Sequence, residues 1–131
     1  MNLRHRLFTP ALAGLLVATV AGATTAQEPL IVTDVDGEAI AIEDTSRVAT
    51  LGGVFTETAY ALGAQDQLVA VDASSFYPPE ALEEKPNFGY YRFLSAEPVL
   101  AREPSLIIGN EETGPPEVVQ QLRDAGVPIL L

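Results

Sequence analysis

The sequence predicts an α/β fold in which a parallel sheet, covered by helices on both faces, follows a β-hairpin. Asp36-Gly37 lies between two stretches of alternating apolar residues, which is a strong hairpin signal. In the segments between short apolar runs, apolar residues recur at the spacing of a helix face. This alternation of strands and helices is typical of a parallel sheet covered on both faces. The runs that we expect to be buried strands are Val48–Leu51, Leu68–Val71, Leu106–Ile108 and Pro128–Leu131.

Three helices are expected between or beside these strands. Ser95 is placed to cap a helix that runs to about Arg102, and the segment from 72 to 94 before it, rich in proline, is expected to be an irregular loop. The first helix stops at Gly63, and the last opens at Pro115-Pro116 and closes at Gly126. Their expected apolar faces are Phe55, Ala59 and Leu62 in the first helix, and Val118, Leu122 and Ala125 in the last.

Residues 1–26 have the three parts of a secretory signal peptide. A positively charged start is followed by the uncharged apolar run 7–22 and by small residues up to Ala26. We expect cleavage after Ala26, with Ala23 as the second choice, and residues 27–131 as the exported lobe. An uncleaved anchor is disfavoured because Pro10 and Gly14 interrupt a run that is already short for a bilayer. The chain has no Cys that could carry a lipid, so we expect no lipid anchor. Because the signal peptide would export the chain, we expect it in the periplasm.

Charge and composition exclude several kinds of function. The chain has 18 acidic and 7 basic residues, a net charge of −11. Loss of Arg4 and Arg6 with the signal peptide would make it more negative still, so nucleic acid is not an expected partner. The chain has no Cys, and its single His is His5. The exported part therefore has no disulfide, no thiolate or imidazole metal site and no His-based triad, and we expect it not to be an enzyme or to use a catalytic cofactor.

Candidate ligand-binding residues follow the predicted strands, where parallel sheets bind their ligands. Gly52-Gly53 follows the first strand, but the dinucleotide pattern G-x-G-x-x-G is absent, so a tight turn is the alternative interpretation. A tyrosine phenolate can ligate haem iron, and a nearby guanidinium favours the phenolate and can pair with a carboxylate. Ordinary packing of one ring and exposure of the other is the competing interpretation. The long second loop carries Ser74, Ser75, Tyr77, Tyr90, Tyr91 and Arg92.

The sequence resembles the cobalamin, siderophore and haem class of binding proteins that serve ABC importers. The class-level resemblance lies in residues 47–57, 60–64 and 68–72. The haemin-binding branch is indicated by residues 74–80 and 86–97, with Gly89-Tyr90-Tyr91-Arg92 at the centre. The match continues through residues 114–122 and 125–128, so that it covers roughly residues 45–131.

This resemblance implies a Rossmann-like first lobe of a class III periplasmic binding protein, with haemin as the transported ligand. Tyr90 would hold the haem iron and Arg92 would contact the haem, with Tyr77 and Tyr91 in reserve. Glu97 would dock the lobe onto the ABC permease, which works with an ATPase, and an outer-membrane haem receptor is a further implied partner. Because the family's linking helix and second lobe are not in the sequence, we expect an incomplete lobe.

Two alternatives remain at this point. The cargo could instead be cobalamin or a ferric siderophore, which the same class also carries. An exported hydrolase is a different kind of protein, and it is disfavoured because the chain has no Gly-x-Ser-x-Gly turn and no His beyond His5.

Overall fold

The computed structural model describes residues 28–131, and the predicted signal peptide lies outside the described residues. Strands β1 (Leu30–Thr33) and β2 (Ala39–Ile42) pair antiparallel. The turn between them is held by Asp34, whose Oδ1 accepts hydrogen bonds from the backbone N–H groups of Asp36 (3.0 Å) and Glu38 (2.9 Å). The hairpin predicted from Asp36-Gly37 is confirmed.

The remaining strands form one parallel sheet, as predicted. They are β3 (Val48–Thr50), β4 (Leu68–Val71), β5 (Leu106–Ile108) and β6 (Ile129–Leu130), in the spatial order β4-β3-β5-β6. The chain passes from β3 to β4 on one side and then returns to place β5 on the other side. The carboxyl end of β3 is therefore a topological switch point, the usual place for a ligand site in such sheets.

Among the described residues, four α-helices accompany the sheet: α1 (Gly53–Ala61), α2 (Glu80–Glu84), α3 (Ala96–Leu100) and α4 (Pro116–Asp124). Helix α2 falls in the segment expected to be irregular, because strong helix formers follow Pro79 and bury Ala81. Helix α3 ends before Arg102, and Ser95 at its N-terminal boundary makes no capping side-chain hydrogen bond. Within residues 28–131, none of the helices is both long and apolar enough to cross a bilayer.

Alternate residues of the strands pack into two cores on opposite faces of the sheet. Ala49 and Ile107 face α3 and α4, whose Val99, Val119 and Leu122 complete that core. Val48 and Leu106 face the other way, toward the hairpin and α1. The prediction that both faces of the sheet are covered is thus confirmed.

The inward face of α1 differs from the predicted one. Its buried residue is Thr56, whereas Leu62 lies beyond the helix and is 78% exposed. Ala59 packs against the core on this face of the sheet, as predicted, and together with Phe55 it also lines an open apolar depression over β3, β4 and β5. Thr56 turns inward because its hydroxyl has buried hydrogen-bond partners there. In α4 the buried pair is Val119 and Leu122, and the predicted Ala125 is exposed.

Candidate functional site

A buried carboxylate organises the loops at the carboxyl ends of β3 and β4. Asp72, fully buried, follows β4 directly. Its Oδ1 accepts hydrogen bonds from the Gly52 N–H (3.0 Å) and from the hydroxyls of Ser74 (3.0 Å) and Ser75 (3.2 Å). Its Oδ2 accepts the Ser74 N–H (3.1 Å). One side chain therefore joins two loops that are some twenty residues apart in the sequence.

A chain of hydroxyls extends this network into the core. The Thr56 hydroxyl lies 2.7 Å from that of Thr50 in β3 and 2.8 Å from that of Ser75. All three side chains are buried, so each depends on the others for hydrogen bonding. Ser75, predicted to contact a ligand, is placed in the interior, with its hydroxyl bonded to Asp72 and Thr56.

The two glycines after β3 serve close packing between these loops. Gly52 has a φ of +121°, a conformation that side chains other than glycine rarely adopt. A Cβ on Gly53 would overlap the carbonyl oxygen of Ser74. The N–H of Gly53 donates to the Ser74 hydroxyl (3.0 Å), while that of Gly52 donates to Asp72. The donors that a bound anion would need are thus already engaged within the protein.

The segment before the tyrosines is attached to the edge of β4 by backbone hydrogen bonds. Val71 N–H donates to the Pro86 carbonyl (3.0 Å), and Phe88 N–H donates to the Val71 carbonyl (3.2 Å). Ala73 N–H then donates to the Gly89 carbonyl (2.8 Å). These bonds place Tyr90 beside the turn that Asp72 organises.

Tyr90 lies among aromatic rings at the protein surface. Its ring centroid is 4.8 Å from that of Tyr91, in an edge-to-face arrangement, and 6.1 Å from that of Phe93. Tyr90 is 40% exposed and Phe93 is 78% exposed, whereas Tyr91 is nearly buried. An exposed tyrosine beside an exposed phenylalanine can offer both a phenol oxygen and a flat apolar surface to a ligand.

Arg92 is held between Tyr91 and Glu112. Its Nε donates to the Tyr91 hydroxyl (3.1 Å), and its guanidinium forms an ion pair with Glu112. The Tyr91 hydroxyl in turn donates to Glu112 Oε2 (3.3 Å). Arg92 and Glu112 are each nearly half exposed, so this ion pair lies at the solvent boundary.

Glu112 belongs to the loop after β5, and backbone bonds join that loop to the tyrosine segment. Gly114 N–H donates to the Tyr91 carbonyl (3.0 Å), and Leu94 N–H donates to the Gly114 carbonyl (2.9 Å). The Glu112 N–H donates to Asn110 Oδ1 (3.0 Å), which orders the loop internally. The carboxyl ends of β3, β4 and β5 therefore carry one connected set of loops.

The surroundings of Tyr90 favour its neutral phenol. Its side-chain interaction with the Tyr91 hydroxyl raises the pKa of Tyr90, and desolvation raises it further. The Arg92 charge lowers this pKa, while the Glu112 charge raises it. The expectation that the guanidinium would favour the phenolate is correct in direction, but Tyr91 and desolvation outweigh it.

Two other predicted residues lie apart from this cluster. Tyr77 is 64% exposed and lines a shallow depression with Glu57, Tyr60 and Ala61 of α1. Glu97 is exposed in the first turn of α3.

Sequence reasoning missed Phe93 and Glu112. Phe93 directly follows Tyr90-Tyr91-Arg92, so a run of ring-bearing residues in a loop was the available signal. Glu112 lies in a loop that was singled out only by its position after β5. The Asn110 side chain ahead of two acidic residues is a turn signal, but their proximity to Arg92 depends on folding.

The fold is a parallel α/β lobe, and aromatic and charged side chains lie at its topological switch point. These features define a ligand-binding α/β lobe. The chain belongs to the periplasmic binding protein family, whose model matches residues 48–131. The resemblance seen in the sequence is thereby confirmed at the level of the family.

Solved structures of haem-binding proteins are similar to this chain. The periplasmic heme-binding protein RhuT from Roseiflexus sp. RS-1, in its apo form, is 47% identical with a TM-score of 0.63, over 66% of this chain and 33% of that protein. The periplasmic heme-binding protein HutB of Vibrio cholerae is 41% identical with a TM-score of 0.61, over 67% of this chain and 34% of that protein.

Curated relatives include vitamin B12-binding proteins. That of Pectobacterium carotovorum subsp. carotovorum is 38% identical over 84 residues, which is 64% of this chain and 30% of the relative. The chain thus spans about a third of the length of the proteins that it matches.

Proposed function

We propose that this chain is the ligand-capturing lobe of the periplasmic component of an ABC importer, and that its ligand is haemin. The observation that carries the proposal is the exposed Tyr90, with Phe93 beside it and Arg92 nearby, at the switch point of a parallel sheet. Haemin has a ferric iron, a flat apolar macrocycle and two carboxylates. Each of these has a matching chemical group in the cluster.

Each group has a distinct role in this proposal. The Tyr90 phenol oxygen binds the iron after losing its proton, as tyrosine does in other haem proteins. Phe93 packs against the macrocycle, and the Arg92 guanidinium pairs with a propionate. Tyr91 supports Arg92 through its hydroxyl. Gly52, Gly53, Ser74 and Ser75 shape the loops without touching the ligand, since their polar groups are bonded within the protein.

The role implies binding and release without a catalytic step. The lobe would work in the periplasm and would deliver its cargo to a membrane permease driven by an ATPase. Glu97 is proposed to contact the permease, because it is exposed at the surface and carries a charge that arginines would recognise. Tyr77 remains a reserve ligand contact, away from the main cluster.

Titration of haemin into the protein, followed by its Soret band, tests the iron ligand. Tyr90→Phe keeps the ring and removes only the oxygen, so we expect affinity to fall by more than about tenfold, or about 1.4 kcal/mol, with loss of the tyrosinate spectrum. Tyr60→Phe is the matched control, because Tyr60 lies on α1, away from the cluster, and should leave binding unchanged. An unchanged spectrum and affinity in Tyr90→Phe would contradict the assignment of the iron ligand.

Cobalamin is the second candidate, and the vitamin B12-binding relatives favour it. Competition distinguishes the ligands: cyanocobalamin or a ferric siderophore is added to the haemin complex. Neither compound requires a tyrosine oxygen on its metal. If cyanocobalamin binds more tightly than haemin and Tyr90→Phe does not weaken it, the chain is a cobalamin-binding lobe.

A further inference from the structure

Glu112 is the only described carboxylate that forms an ion pair with Arg92. It reaches Arg92 from a separate loop, twenty residues later in the sequence, and also accepts a hydrogen bond from Tyr91. The guanidinium therefore has a carboxylate partner within the lobe itself. A second carboxylate, brought by a ligand, would have to share or take over that partner.

The ion pair has the properties of an exchangeable contact. The side chains of Arg92 and Glu112 are 43% and 48% exposed. At such exposure, water screens the attraction and ion pairs contribute little to stability. Tyr91, by contrast, is nearly buried and donates to Glu112 while accepting from Arg92, so the guanidinium keeps one fixed contact if Glu112 moves away.

We propose that Glu112 is an internal substitute for a ligand carboxylate: it occupies Arg92 in the free lobe and is displaced when a carboxylate of the ligand arrives. It thereby lowers affinity for carboxylate-bearing ligands. The inference rests on haemin as the ligand, whose propionates are the displacing groups.

Glu112→Gln tests the inference, because the amide keeps the shape and can still accept a hydrogen bond from Tyr91. Removing the charge of an exposed pair should tighten haemin binding by about two- to fivefold. Glu111→Gln is the matched control: it removes the same charge one residue away, at an exposed position, and should change affinity little. The gain should disappear in an Arg92→Ala background, where no guanidinium remains to be released.

Haemin dimethyl ester provides the second comparison, because it has the same iron and macrocycle but no carboxylates. Glu112→Gln should leave its affinity nearly unchanged. Equal tightening of both compounds, or no tightening of haemin, would overturn the role of Glu112 while Tyr90-dependent haemin binding still stood. If the unsubstituted chain does not bind haemin, the proposed function and this inference both fail.

Discussion

Two polar clusters lie at the same edge of the sheet and differ in every respect that matters for binding. The Asp72 cluster consists of Asp72 and the residues bonded around it, Gly52, Ser74, Ser75 and Thr56. It is largely buried, and the Asp72 carboxylate accepts four hydrogen bonds from the surrounding loops. The Arg92 cluster consists of Arg92, Glu112 and the aromatic residues Tyr90, Tyr91 and Phe93. It lies at the surface, and its main polar contact is the ion pair between Arg92 and Glu112, which solvent screens. The first cluster cannot change partners without unfolding the loops, whereas the second can.

This difference separates support from recognition. The polar groups of the Asp72 cluster are satisfied by one another, so it is suited to hold the loops in place. Groups that are exposed and loosely paired, such as Arg92 and Tyr90, are free to meet a ligand. The sequence-based prediction assigned Ser74, Ser75, Tyr90 and Arg92 to one site, and the structure distributes them between the two clusters.

Asp72→Ala is expected to have the largest effect on stability, and so to distinguish the supporting Asp72 cluster from the exposed Arg92 cluster. It leaves the Gly52 and Ser74 N–H groups without their buried acceptor, so we expect the free energy of unfolding to fall by about 2–4 kcal/mol. Urea unfolding followed by circular dichroism measures it. Asp66→Ala, at an exposed position in a short 3-10 turn, is the control and should cost little. A similar small loss in both variants would mean that the Asp72 cluster is not the support.

The pH dependence of haemin binding should report on the exposed cluster. The pKa of Tyr90 is raised, mainly by Tyr91, with desolvation and Glu112 adding to it and Arg92 opposing it, so the free lobe holds the neutral phenol. Iron coordination then releases that proton, and affinity should rise by up to about tenfold per pH unit below that pKa. Soret titrations at several pH values measure this slope. Tyr90→Phe, as the reference for haemin's own titration, should have a shallower slope, and equal slopes would exclude phenolate binding.

The smallest expected effect comes from Ser75→Ala. The substitution removes one of the hydroxyls bonded to Asp72 and leaves Thr56 with Thr50 as its one remaining hydroxyl partner, so stability should fall by about 1 kcal/mol. Haemin affinity should not change, because Ser75 is buried. Ser95→Ala, which removes an exposed hydroxyl, serves as the stability control. If Ser75→Ala binds haemin more weakly but is as stable as the unsubstituted chain, Ser75 contacts the ligand after all.

Local patterns predicted the parts of the fold that local chemistry determines. The Asp36-Gly37 turn, the strand positions and their parallel arrangement all follow from residue spacing and were confirmed. The inward face of α1 could not be predicted in the same way. Thr56 is polar, and its burial depends on hydroxyl partners in β3 and in the loop after β4.

The candidate site was predictable in its exposed half only. A tyrosine and an arginine in a loop after a strand carry visible chemistry, so Tyr90 and Arg92 could be singled out. The contacts between Asp72 and Gly52 and between Arg92 and Glu112 each join loops about twenty residues apart. Such pairs arise from the order of the strands in the sheet, which residue spacing does not encode.

Gly114 joins the loops through its main chain alone, with its N–H on the Tyr91 carbonyl and its carbonyl on the Leu94 N–H. Because no side chain takes part in these two hydrogen bonds, we expect substitutions at the exposed positions around them to leave both bonds in place. Such an arrangement lets evolution exchange the groups that face a ligand while the frame stays the same. One family can in this way include both haem-binding and vitamin B12-binding members.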